Sequence, residues 1–302
     1  MTAMSARPIL RTGDPVLLTS AQMATFVARG FLAFPGVIPD EVNERAASEL
    51  EAIVASWGTD DRVAAPGSGE PLDVVYAPPS AIGEVLRSPI VAGAIRSLAG
   101  EAPVFDHDFV HLRPARDPFQ QHLHSDAMVD PLTPFDIQVF YFPHEVAPDG
   151  GGTGFVPGTH LRRVHETDIG RYTHLLGERQ WTGPAGSILV FHHGMWHRGM
   201  PNLGDRPRLM YKIRLNPTTT QVRQWDTSDL AALDSGPGDH VFARFRQDSI
   251  AGLLRHRERW MGEADHRLEL RNRARLWRYL TGDDGFDVDW YLTRQELRAE
   301  LA

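Results

Sequence analysis

Between Val104 and Leu215 the chain is a succession of short β-prone runs, 104–112, 137–142, 153–156, 187–192 and 208–215, separated by turn residues. Many short strands punctuated by Gly and Pro can bury their apolar residues only by packing as a sandwich or a small barrel. The flanks carry a different period. A helix is expected from Ser20, stopped by Gly30, followed by a strand Phe31–Phe34 that Pro35 and Gly36 close. Asp40 is placed to cap a second helix with Val42, Ala46, Leu50 and Ile53 on its buried face. Residues 58–80, rich in Gly, Pro and Asp, read as an irregular surface segment. Ser88 before Pro89 and Gly100 mark the two ends of another helix. Beyond Trp225 helical spacing returns, with Ile250, Leu253, Leu254, Leu268, Leu270, Leu276 and Leu280 interleaved with arginine. The arginine-rich stretch Arg255 to Arg278 also holds Glu258, Glu263, Asp265 and Glu269, so it reads as a solvated, ion-paired face.

Composition removes several function classes. The net charge is −8, from 39 acidic and 31 basic residues, and no dense basic stripe with interleaved aromatics appears, which argues against nucleic acid as a partner. Cysteine is absent, which excludes disulfides, thiolate zinc sites, iron–sulfur clusters and a cysteine nucleophile. Any metal ligands must then be histidine or carboxylate. No apolar run approaches the roughly 20 residues of a membrane span, and Arg7, Arg11 and Asp14 stand where a signal peptide needs an apolar core. A cytoplasmic location is expected, with no membrane partner. Lys212 is the only lysine. Almost all the positive charge is therefore arginine, which reads as compositional bias without mechanistic content.

The densest polar cluster is Gln121-His122-Leu123-His124-Ser125-Asp126. In an extended strand His124 and Asp126 share a face while Ser125 points away. Fourteen histidines and 39 acidic residues produce about two such pairs by chance, so spacing alone is weak. The other pair, His256 and Glu258, falls in an expected helix, where such residues diverge. A third element strengthens the first pair: an apolar strand from Gly186 runs into a turn presenting His197, and the next strand opens with Arg208. Two imidazoles and one carboxylate on a rigid β scaffold are the facial set that leaves positions open on Fe(II) for a 2-oxo acid and O2. An arginine fork holds the far carboxylate of such an acid bidentately.

These pieces stand in an order that resembles the phytanoyl-CoA dioxygenase family of Fe(II)- and 2-oxoglutarate-dependent oxygenases. The order runs Phe26, Gly30-Phe31-Leu32 and Pro35-Gly36-Val37, then Arg113-Pro114 and His124-Ser125-Asp126. Gly150-Gly151 and Val156-Pro157-Gly158-Thr159-His160 follow, then His197, Asn202 and Arg208. The resemblance covers residues 18–217 and implies a mainly β core with flanking α: a double-stranded β-helix (jelly roll, cupin-like) with N-terminal helices and a helical C-terminal region. The expected division is an oxygenase domain at 1–225 and a helical extension at 226–302, packed on the core or at a subunit interface. The resemblance also implies His124, Asp126 and His197 as iron ligands and Arg208 as the clamp for 2-oxoglutarate, with Arg206 as its competitor. His107, His111 and Gln138 fall where relatives place polar pocket residues, and His160 lines or braces the pocket. Gly199 replaces a serine that some relatives use on the cosubstrate, so another donor must serve that carboxylate. Asp126 stands where halogenating relatives have Gly or Ala, which favours hydroxylation of a small-molecule metabolite over halogenation and leaves desaturation, ring closure and epimerisation open, with O2 consumed and succinate and CO2 released. Segment 127–136 reads as a lid. A homo-oligomer, a non-redox cupin-like metal protein and a zinc-dependent hydrolase or isomerase stay open at this level.

Overall fold

A computed structural model describes residues 14–56, 69–126, 135–162, 164, 166–218, 224–234, 250–256, 263–282 and 284. The lid segment lies outside these residues except for Phe135 and Asp136, as does Glu258. Helix α1 (Ser20–Arg29) begins at a capping box between Thr19 and Gln22 and ends at Gly30 with φ 76°, so two orphan amides are satisfied at its start. Strand β1 (Phe31–Phe34) follows. In α2 (Asp40–Ala55) the cap position is Pro39, and Asp40 and Glu41 sit in the first turn, where they face the helix dipole without capping it. Ala46 and Leu50 of α2 are buried, while Ile53 is exposed. The expected irregular segment contains α3 (Leu72–Val75), and α4 (Ala81–Arg87), capped by Ser80, comes directly after it. Helix α5 (Pro89–Ala99) has Pro at its start and Gly100 at its end, as the sequence predicts.

The strands are β2 (Val104–Arg113), β3 (Ile137–Phe142), β4 (Thr153–Val156), β5 (Arg179–Gln180), β6 (Ser187–His192), β7 (Trp196–Gly199) and β8 (Arg208–Asn216). Helix α6 (Glu166–Ile169) lies between β4 and β5, and α7 (Leu230–Asp234), α8 (Ile250–Arg255) and α9 (Glu263–Thr281) follow β8. Among the described residues one sheet has the order β1-β6-β3-β8-β2 and a second has β5-β4-β7. Every ladder is antiparallel. The core is therefore mainly antiparallel sheet with flanking helices.

Alternation along the strands divides the larger sheet into two apolar faces. Ile137, Val139, Tyr141, Ile188, Val190, Tyr211, Ile213 and Leu215 join one cluster with Phe26, Leu50 and Leu98 of the helices. Their neighbours Phe140, Phe142, Leu189, Phe191 and Met210 turn the other way and pack with Phe155 of β4 and Trp181 beside β5. Both faces are covered, which explains why β3 and β6 are buried along their whole length. Leu253 and Leu254 of α8 and Leu276, Trp277 and Leu280 of α9 join the helix-side cluster. Leu268 is exposed.

The stretch expected to be a solvated ionic face is partly internal. Arg273 and Glu269 are buried, Arg162 Nε lies 2.9 Å from Glu269 Oε1, and Arg273 Nη1 donates to the Leu254 carbonyl at 2.8 Å. Burial pushes the Glu269 carboxyl up to about 6 against the opposing pull of Arg273 and Arg162.

Gly30 joins this architecture to the site. A Cβ there would lie 2.4 Å from His160 Nδ1 and 2.5 Å from Met195 Cε, on a backbone at positive φ. Gly30→Ala is expected to destabilise the fold by about 2–3 kcal/mol, read as a lower midpoint in urea unfolding.

Candidate metal centre

His124 and His197 are 73 positions apart in the chain and meet through an antiparallel bridge. Each backbone amide donates to the other residue's carbonyl, at 3.0 Å and 2.8 Å. The two rings lie 4.4 Å apart between centroids. His124 Nδ1 is 2.9 Å from the His122 carbonyl and His197 Nδ1 is 2.9 Å from the Met195 carbonyl. A carbonyl only accepts, so each Nδ1 carries a proton and Nε2 is the nitrogen left to face a metal. Burial pulls His197 down to about 4, which keeps that ring neutral at ordinary pH. Asp126 lies two residues from His124 on the same face, and Ser125 points away, its hydroxyl donating to the Gly194 carbonyl at 3.2 Å.

Asp126 Oδ1 stands 3.5 Å from His124 Nε2, and Oδ2 stands 3.7 Å from His197 Nε2. One ligand atom from each residue falls within 4.8 Å of the others. Three electron-pair donors converge here, an arrangement that suits a divalent cation. Two imidazoles and a carboxylate suit Fe(II), Ni(II) or Zn(II). Gln138, buried on β3, donates through Nε2 to Asp126 Oδ2 and meets His193 Nδ1 at 2.7 Å. Lys212 Nζ, on β8, lies 3.1 Å from the same oxygen. These groups orient the carboxylate. Burial alone would raise the Asp126 carboxyl, but His197, once protonated in acid, and Lys212 outweigh it and hold it well below the usual range.

Arg208 opens β8 on the same inner face. It is 6% exposed, whereas Arg206 is exposed, so the fold separates the two candidates. Arg208 Nε donates to the Gly151 carbonyl at 2.7 Å, and its buried Nη1 has no partner among the described residues. Burial and the nearby Arg113 charge pull this guanidinium down to about 10, the mark of a cation in want of an anion. Between Arg208 and the triad lies His111, on β2 opposite Met210. Burial, then the charges of Lys212 and Arg208, bring His111 down to about 3, and its buried Nε2 has no partner among the described residues.

His107 shares that face but lies farther along β2, opposite Arg214. It pairs with Asp106 at 2.9 Å, and the structure does not bring it to the triad. His160 is a brace: its Nε2 meets the Val27 carbonyl of α1 at 3.1 Å. Lys212 is the residue that sequence reasoning set aside. Its signal was the alternation Arg208, Met210, Lys212, Arg214 along one face of β8. Arg214 was missed too, and it pairs with Asp136 and with Asp106 at 3.1 Å.

Residues 26–210 match the family described as phytanoyl-CoA dioxygenase (PhyH). Among curated proteins none matches. The fold is similar to AviO1 from Streptomyces viridochromogenes Tue57, at TM-score 0.52 and 18% identity over 66% of this chain and 95% of that one. HygX from Streptomyces hygroscopicus, solved with nickel and 2-oxoglutarate bound, gives 0.53 and 18% over 74% and 96%. SnoK, a non-heme alpha-ketoglutarate-dependent carbocyclase from nogalamycin biosynthesis, gives 0.50 and 20% over 75% and 96%. At these identities the likeness shows the fold. Among the described residues no helix is long and apolar enough to cross a membrane. The family match spans well over half of the sequence, and the chain belongs to the phytanoyl-CoA dioxygenase family.

Proposed function

We propose that this protein is an Fe(II)- and 2-oxoglutarate-dependent dioxygenase that hydroxylates an unactivated C–H bond of a small-molecule metabolite in the cytoplasm. The observation that carries this reading is the placement of a facial His124, Asp126, His197 set and a buried, half-partnered Arg208 on one inner face, with His111 between them. In this reading the two sheets form a jelly roll over residues 1–225, and residues 226–302 form a helical extension packed on it.

Iron with a chelated 2-oxo acid supplies the oxidising power, consuming O2 and releasing succinate and CO2. The chain's own residues supply position. His124, Asp126 and His197 would hold the metal through one donor atom each, and three protein ligands would leave coordination positions for the cosubstrate. Arg208 takes the distal carboxylate of 2-oxoglutarate, a charge-assisted pair in a buried site. His111, kept neutral, offers a dipole beside the cosubstrate without adding another positive charge. Gln138 and Lys212 bind one oxygen of Asp126, so the carboxylate keeps its orientation through turnover. The nickel and 2-oxoglutarate bound to HygX support this assignment by likeness of fold. SnoK is a carbocyclase, so the outcome at the substrate carbon is decided by the product, which under this reading has gained an oxygen atom.

Anaerobic Fe(II)-loaded protein is expected to develop the visible charge-transfer band of a chelated 2-oxo acid when 2-oxoglutarate is added. Arg208→Ala should lose that band and Arg206→Ala should keep it. Iron binding without any band would remove the oxygenase reading. Gln138→Leu should weaken Zn(II) or Fe(II) binding roughly tenfold or more, measured by calorimetry, because the ligand carboxylate loses a donor that orients it.

A further inference from the structure

Arg113 stands directly opposite Arg208 in the β2–β8 ladder, so both guanidinium groups leave the same face of the sheet. Like charges placed opposite each other are unfavourable unless an anion lies between or beside them. Arg208 carries a buried Nη1 without a partner among the described residues. Among the described residues Arg113 has one charge partner, Asp117, which takes Nη1 at 3.0 Å, and its guanidinium carbon lies 5.1 Å from the Phe119 ring centre.

The remaining edge of Arg113 reaches into the space in front of β7. On that strand Gly199 is two residues past His197, so its missing side chain would point inward on the His197 side. A Cβ built at Gly199 would lie 2.8 Å from Arg113 Nη2 and 3.3 Å from Gln121 Oε1. The guanidinium of Arg113 therefore fills the inward position that any larger residue at 199 would take. Asn202 fixes the arrangement from behind, its Nδ2 donating to the carbonyls of Pro114 at 2.9 Å and Arg206 at 2.8 Å. That one buried amide ties the segment after Arg113 to the segment before Arg208.

We propose that Arg113 is a second anchor for the distal carboxylate of the 2-oxo acid, closing a two-arginine clamp with Arg208. This rests on the cosubstrate reading above and assigns the donor that Gly199 cannot supply. Asp117 holds one edge of Arg113 and leaves Nη2 for the ligand.

The test is calorimetric titration of the Zn(II)-loaded full chain with 2-oxoglutarate and, separately, with pyruvate, which has the chelating end but no distal carboxylate. Arg113→Ala is expected to weaken 2-oxoglutarate binding by roughly tenfold to a hundredfold, the loss of one charged hydrogen-bond pair. Pyruvate and Zn(II) binding should be unchanged, which also shows that the variant is folded. If Arg113→Ala binds 2-oxoglutarate like the unmodified chain while Arg208→Ala does not, the second anchor is overturned and the Arg208 reading stands. Equal weakening of both acids would make Arg113 a structural partner of Asp117 and overturn the proposal as well. If Arg208→Ala also leaves 2-oxoglutarate binding intact, the cosubstrate reading itself falls and the clamp falls with it.

Discussion

A strand can send three cations into a protein interior only if anions meet them there, and β8 does so with Arg208, Lys212 and Arg214. Lys212 meets Asp126. Arg214 meets Asp136 and Asp106. Arg208 meets the Gly151 carbonyl and no carboxylate among the described residues. The unmatched charge stands at the end of the strand away from the carboxylates, and a buried unpaired cation costs several kcal/mol or shifts its proton affinity. Burial, then the Arg113 charge, pulls the Arg208 guanidinium down. Everything placed around it, including the glycine loop whose carbonyl takes Nε and the neutral His111, leaves an external anion as its remaining partner.

The fold was legible where a local signal and the tertiary demand agree. The helix start at Ser20, the Gly30 stop, the Ser88-Pro89 start and the long strands all follow from single-residue chemistry. What stayed hidden is short or set by contact. Strand β5 has two residues and β7 has four, and β7 carries His197 on a strand paired with β4 where the sequence predicts a turn, with no apolar alternation to mark it. Asp40 has a capping side chain, but Pro39 takes the cap position, and no sequence period separates those two choices. Arg273 looks like its neighbouring surface arginines until Leu254 and His256 carbonyls surround it.

Of the site, the triad was legible because its members lie in two motifs whose order is unusual, and Arg208 because it heads a strand. Lys212 was not, although it carries the clearest statistical oddity in the chain. A lone lysine among arginines gives no direction by itself. The period of β8 gives one: positions 208, 212 and 214 lie on one face, and once Arg208 is assigned inward, Lys212 must follow it. His107 shows the opposite failure, since the same period puts it on the inner face but distance along β2 takes it to the Asp106 end of the sheet.

The charge pattern also gives an order to assembly. With the buried rings His111, His193 and His197 kept neutral by desolvation, the inner face sets Asp106, Asp117, Asp126 and Asp136 against Arg113, Arg208, Lys212 and Arg214, four negative charges against four positive ones. A divalent metal adds two more, and a 2-oxoglutarate dianion removes two, returning the interior to its starting balance. Metal and cosubstrate therefore favour each other's binding, and linkage makes that help equal in both directions. Lys212 is central to this balance because its ammonium shares Asp126 with the metal: it keeps the carboxylate ionised and oriented beforehand, and it raises the positive potential that draws the cosubstrate in afterwards.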